Sequence, residues 1–208
     1  IAPYDSTVWS ALKSKGALMG AKLSMDEFAM GSFTNTSSFG SASVPGFPEH
    51  TAGGSSGGSG AALAAGLTDF TVGSDTGGSV RLPASYCSVF GYKPSYGAFS
   101  RHGMIAYASS LDQAGFLTSN FEDLKYLLDA EISTSCQYDY TCVGLKNEAT
   151  RKSGVKVAYF PSIFESEAIS DDVKKEYQAI LNSGKGFMGN VEFVPVDVPL
   201  MKEAASIY

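Results

Sequence analysis

The run from Gly53 to Ser79 reads GGSSGGSGAALAAGLTDFTVGSDTGGS, and it restricts the backbone of this chain more than any other stretch. Two clusters, Gly53-Gly54-Ser55-Ser56-Gly57-Gly58 and Asp75-Thr76-Gly77-Gly78-Ser79, enclose a short apolar segment. Glycine reaches dihedrals a Cβ forbids and lets main-chain N–H groups come close to a ligand. Flexible linkers also combine Gly and Ser. A linker has no use for Ala61-Ala62-Leu63-Ala64-Ala65 or Phe70-Thr71-Val72, so the stretch reads as a built floor for a site.

Composition narrows the class. A chain of 208 residues with 44% hydrophobic and 17% charged residues can bury a substantial core, whereas disorder needs less apolar content and more charge. The net charge of −6 and the absence of a dense Lys/Arg patch argue against direct nucleic-acid binding. No run reaches membrane-span length, and no basic-then-apolar signal pattern opens the chain. Three cysteines, Cys87, Cys136 and Cys142, make no disulfide framework. The two histidines, His50 and His102, lack metal-ligand spacing to any of them, so no metal is expected. Cys87 lies in apolar context and reads as a small buried hydrophobe.

Along the chain, Asp5 or Ser6 can cap a first helix carrying Val8, Trp9 and Leu12. Ala17-Leu18-Met19-Gly20 reads as a short buried strand, and Ser24-Met25-Asp26-Glu27 as a capping box opening a short helix to Met30. Residues 31–52 read as a long loop. A helix over 59–65 stopped by Gly66 would turn its N-terminus toward the first glycine cluster. Phe70-Thr71-Val72 is a strand, Asp75 to Ser79 the turn at its end, and Pro83 marks a turn or helix start. The aromatic set from Tyr86 to Phe99 is expected in the core, and residues 96–112 as loop with strand pieces. Ser119 to Glu122 is a second capping box for a helix with Phe121, Leu124, Leu127 and Leu128 on its apolar face. An irregular crossing over 132–151 precedes a strand–helix–strand unit: Val155 to Phe160, a helix capped by Ser170, and Val191 to Val198. Alternating strands and helices specify an α/β fold.

If Ser79 is a nucleophile, it needs a base, a proton route to the leaving group and an oxyanion hole. Thr76, Gly77 and Gly78 place consecutive main-chain N–H groups beside it, and one such donor contributes about 3–4 kcal/mol in a transition state. A Ser-His pairing of Ser55 with His50 lacks a carboxylate partner motif, and Gly-x-Ser-x-Gly is absent around Ser79. Ser-Lys chemistry remains open. Asp75 is expected to orient the Thr76–Ser79 turn through main-chain hydrogen bonds, and Arg81 to pair internally beside it.

The ordered match of the two serine clusters, continuing through Val80-Arg81-Leu82-Pro83-Ala84, resembles the amidase signature family. Three further segments, Lys22 to Gly31, Gly91 to Gly97 and Ser100 to Gln113, resemble its branch of glutaminase subunits of glutamyl-tRNA(Gln) amidotransferases. The resemblance implies a mixed sheet covered by helices on both faces, present here as a fragment of one amidase domain over residues 1–208. It implies Ser79 as the acyl-ester nucleophile and Ser55, 24 positions upstream, as the relay serine on a cis peptide, with the adjacent Ser56 as competitor for that role. It also implies glutamine as substrate and two partners, the B-subunit of the amidotransferase and a small accessory subunit, with Glu-tRNA(Gln) bound mainly through them. No cofactor is implied in this chain; ATP and Mg²⁺ belong to the B-subunit.

The family's catalytic lysine sits in a Lys-Asp-Asn segment upstream of the Met-Asp-Glu-Phe motif and is expected to precede Ile1; Lys22 matches a structural position instead. The glutamine-clamping residues are expected beyond Tyr208, so the 208 residues alone are expected to be inactive. A free-standing amidase for small carboxamides and a noncatalytic amidase-like scaffold are the alternatives. Divergence over 45–52 and 132–151 points to a mitochondrial matrix protein, with the bacterial cytoplasm as alternative.

Overall fold

A computed structural model describes residues 2–130, 137–145, 155–183, 191–200 and 203. The chain divides into two compact units, Ile1–Lys146 and Asn147–Tyr208. In the first, helix α1 (Thr7–Ser14) begins where Ser6 Oγ accepts the Trp9 N–H at 3.1 Å, so Ser6 rather than Asp5 is the cap. Val8 and Leu12 are its buried face.

The next segment departs from expectation. Ala17 to Gly20 forms no strand, and Leu18 is 93% exposed. An apolar run becomes a strand only with a ladder partner, and none lies beside it among the described residues. Ser24 caps nothing. Glu27–Ala29 is one 3-10 turn whose Phe28 and Ala29 have φ of 55° and 60°, and the Asp26 side chain turns inward instead of bonding the turn. The loop over 31–52 contains a small hairpin, β1 (Ser43–Val44) with β2 (Phe47–Thr51).

Helix α2 (Gly57–Ala64) starts two residues earlier than expected, and Gly66 follows it at φ +70°. Strand β3 (Phe70–Asp75) leads into the second glycine turn. Helix α3 (Arg81–Tyr86) carries Pro83 in its first turn, where a missing N–H is tolerated. Strand β4 (Phe90–Tyr92) and the central strand β5 (Gln113–Thr118) complete an antiparallel sheet of order β3-β5-β4. Helix α4 (Phe121–Asp129) is capped by Asn120, whose Oδ1 accepts the Asp123 N–H at 2.8 Å, one residue after the expected Ser119. No strand falls within 96–112.

Strand β5 is buried along its whole length because alternate residues feed two cores. Ala114 and Phe116 face Val8, Leu12, Phe99, Leu124 and Leu127, while Leu117 faces Leu63, Val80 and Ala84. Helices therefore cover both faces of this sheet. Truncating Phe116, which is fully buried, removes about 3–5 kcal/mol of stability. Of the aromatic set from Tyr86 to Phe99, Phe99 is core, packed edge-on against Phe116 at 5.4 Å, and Tyr92 packs half-buried against the same cluster; Tyr86, Phe90 and Tyr96 are 40–47% exposed.

In the second unit, β6 (Val155–Tyr159) pairs in parallel with β7 (Val191–Pro195), with α5 (Pro161–Phe164) and α6 (Asp171–Ser183) between them in sequence. Ser170 caps α6, its Oγ accepting the Val173 N–H at 3.5 Å. The strand–helix–strand reading holds, with α5 in addition. The expected crossing over 132–151 lies outside the described residues except for 137–145, which are turn and coil apart from an isolated bridge at Asp139. Among the described residues no helix is long and apolar enough to cross a membrane.

Candidate active site

The two serine turns lie against each other. The Ser56 N–H donates to the Ser79 carbonyl at 3.1 Å, joining the turn before α2 to the turn after β3. Each turn is organised around one fully buried carboxylate, Asp26 for the first and Asp75 for the second.

Asp75 ends β3 and accepts three main-chain N–H groups: Gly78 at 2.8 Å, Val80 at 3.0 Å and Arg81 at 3.3 Å. The Arg81 guanidinium closes on it in two-pronged fashion, Nε to Oδ2 at 3.1 Å and Nη2 to Oδ1 at 2.9 Å. Burial alone raises a carboxyl pKa. Here that push is outweighed by the guanidinium and the N–H donors, and Asp75 is held below the usual carboxylate range. Both expectations for this pair hold. The oxyanion trio narrows, however, because the Gly78 N–H is already given to Asp75, leaving Thr76 and Gly77 as candidate donors. The Thr76 hydroxyl donates to Asp112 Oδ1 at 2.5 Å, and Asp112 in turn accepts the Tyr107 and Ala108 N–H groups. Ser79 itself is half-buried.

On the other side the Gly54–Ser55 peptide is cis, at the position the resemblance implies. Ser55 is fully buried, and its Oγ has no hydrogen-bond partner among the described residues. The Ser56 hydroxyl, by contrast, donates to the Ser74 carbonyl at 3.3 Å. Of the two candidates, Ser55 keeps its oxygen uncommitted. Glycine at position 54 is required by close approach: a Cβ there would run into the Asp26 carboxylate and the Phe33 main chain.

The amino end of α2 is not open to a ligand. The Gly57 N–H donates to Thr34 Oγ1 at 3.0 Å and the Gly58 N–H to the Ser24 carbonyl at 3.0 Å. The expected convergence of free donors is thus consumed internally. His50 is exposed and pairs with Glu49 at 3.5 Å, on no path to Ser55. Lys22 is exposed, and Lys93 Nζ donates to the Pro94 carbonyl at 2.6 Å. Cys87, at the C-terminal end of α3, is buried, and burial pushes its thiol pKa up. An apolar cleft of about 540 Å³ runs from Trp9 and Met25 to Val72, Gly73 and Ser74 of β3; neither Ser55 nor Ser79 lines it. A smaller cavity of about 160 Å³ beside Arg101 and Asp112 is likewise not lined by them.

Sequence reasoning missed Thr34, Asp26 and Asp112. Asp26 stood inside a quoted motif but was read as helix-opening chemistry. Thr34 gave no signal in a loop crowded with Ser and Thr.

Two glycine-rich turns thus lie together, one carrying a half-buried serine and the other a buried serine whose hydroxyl has no hydrogen-bond partner among the described residues. All residues from 1 to 208 match the Amidase family profile, and the chain belongs to that family. It is 46% identical over 210 residues to the A-subunit of glutamyl-tRNA(Gln) amidotransferase from Francisella tularensis subsp. novicida, all of this chain aligning with 44% of that protein. The crystal structure of the corresponding A-subunit from Thermotoga maritima superposes with a TM-score of 0.89 at 39% identity, covering 98% of this chain and 45% of that one. Allophanate hydrolase from Kluyveromyces lactis superposes at 0.85 with 26% identity, covering 99% of this chain and 34% of that one. The chain thus spans under half the length of the curated relatives it matches.

Proposed function

We propose that these 208 residues are the nucleophile-bearing part of the glutaminase subunit of a glutamyl-tRNA(Gln) amidotransferase. The observation that carries this reading is the juxtaposition of the two serine turns in a chain aligned end to end with A-subunit sequences. Ser79 Oγ attacks the side-chain amide carbon of glutamine. The tetrahedral oxyanion is held by N–H groups at Thr76 and Gly77. Ser55 passes a proton toward the departing ammonia, and water then releases glutamate from the acyl-enzyme. The base that takes the Ser79 proton is a lysine outside these residues. Ammonia is consumed by the B-subunit, where ATP and Mg²⁺ activate Glu-tRNA(Gln), and a small accessory subunit completes the assembly. Relatives aligned over the whole chain include Francisella proteins, which supports the bacterial cytoplasm and withdraws support from the mitochondrial matrix.

A free-standing carboxamide hydrolase is the second reading, favoured by the likeness to allophanate hydrolase. Ammonia release by the full-length protein, with and without the B-subunit, separates the two. The first reading expects glutamine to exceed simple carboxamides and to respond to the partner. Equal or better turnover of simple amides without any partner contradicts it.

A further inference from the structure

Thr34 is fully buried in the loop before the first glycine turn, and its hydroxyl reaches three points of that turn. It donates to the Gly53 carbonyl at 2.7 Å, lies 3.4 Å from the Ser55 carbonyl and accepts the Gly57 N–H at 3.0 Å. It thus spans the turn from the residue before the Gly54–Ser55 peptide to the first residue of α2. The Thr34 main chain is itself fixed: its N–H donates to Asp26 Oδ2 at 2.9 Å. Asp26 Oδ1 accepts the Thr36 hydroxyl at 2.9 Å and the Thr36 N–H at 3.3 Å, and the Asp26 N–H donates back to the Ser55 carbonyl at 3.0 Å. Two buried side chains therefore close a ring of hydrogen bonds around Ser55, whose buried hydroxyl has no partner among the described residues. Buried polar groups so fully committed fix a single arrangement, and losing one leaves the others unsatisfied.

We infer that Thr34 and Asp26 are positioning residues for Ser55: the Thr34 hydroxyl clamps the Gly53–Gly57 turn, Asp26 anchors Thr34, and together they set where Ser55 Oγ points. This rests on the reading of Ser55 as the relay. Neither side chain meets substrate. Their effect falls on the proton-transfer step, where small misplacement is costly.

The test uses the full-length protein in complex with its partner subunits and reads glutaminase kcat, KM for glutamine and thermal midpoint. Thr34→Val keeps the shape and deletes the hydroxyl. It is expected to lower kcat by about 10- to 100-fold with KM within about twofold, while Thr34→Ser restores kcat to within about threefold. Added to Ser55→Ala, Thr34→Val costs nothing further, because it acts through a hydroxyl already gone. A Thr34→Val drop that persists in full in the Ser55→Ala background, a rise in KM alone, or a Thr34→Ser variant as impaired as Thr34→Val overturns the inference. Should Thr34→Val fail to fold, Thr36→Val loosens the Asp26 anchor without touching the turn. A kcat loss of about 3- to 10-fold, absent in the Ser55→Ala background, supports the clamp; unchanged kcat overturns it. If Ser55→Ala alone retains parental activity, the relay reading fails. If Ser55→Ala is impaired and Thr34→Val is not, only the clamp fails.

Discussion

The two serine turns are built around equally buried carboxylates, yet they are held in different ways. Asp75 faces a cation, and the turn before Ser79 hangs on a charge pair whose Arg81 partner is half in water. Asp26 is met only by N–H and O–H donors among the described residues, and the turn holding Ser55 hangs on Thr34. The difference follows from what each turn encloses. The Ser79 turn lies half-open at the end of a strand, where an arginine can reach in from a neighbouring helix. The Ser55 turn sits beneath the loop before it, where Asp26, Thr34 and Ser55 are all fully buried. Charge secures the turn that faces outward; a network of neutral donors secures the one that is sealed.

The contrast can be broken from either side. The largest effect belongs to Ser79→Ala, expected to lower glutaminase activity of the full-length protein by about four to six orders of magnitude without moving the thermal midpoint. Asp75→Ala is next. It strips acceptors from Gly78, Val80 and Arg81 and leaves the guanidinium unpaired, costing about 3 kcal/mol by denaturant titration. A fully buried pair would cost more, but Arg81 can turn to solvent.

The same pair predicts a pH response. Asp75 is held below the usual carboxylate range, so its stabilisation is complete above the unfolded value near pH 4 and is lost as pH falls through the lower folded value. Stability measured from pH 6 downward should decline below about pH 4, and the decline should be shallower in Asp75→Asn. An identical acid response in that variant removes Asp75 from the explanation. The smallest effect is that of His50→Ala, an exposed residue that meets Glu49 and the edge of Phe47. Activity should stay within about twofold and stability within about 0.5 kcal/mol; a larger loss of activity would bring histidine back into the mechanism.

Much of this was legible from residue order. The Ala61–Ala65 run and Phe70-Thr71-Val72 announced α2 and β3, and Asp75 followed by two glycines announced a turn that a carboxylate would organise. The central strand β5 was not. Gln113 and Gly115 interrupt any hydrophobic period, and burial on both faces removes the alternation by which strands are recognised. Gln113 is tolerated there because its Oε1 accepts the Gly97 N–H and its Nε2 donates to the Phe99 carbonyl, both at 2.9 Å, contacts set by a distant loop. Asp26 misled for a related reason. A carboxylate before a helical run has a local use, and the tertiary fold claimed it for residues eight and ten positions on.

The most direct measurement is to trap the acyl group. Full-length enzyme quenched during glutamine turnover, digested and mapped by mass spectrometry should carry a glutamyl ester on the peptide containing Ser79, with none in Ser79→Ala. An ester on Ser55 or Ser56 instead, or steady ammonia release from Ser79→Ala, would contradict the assignment of the two turns.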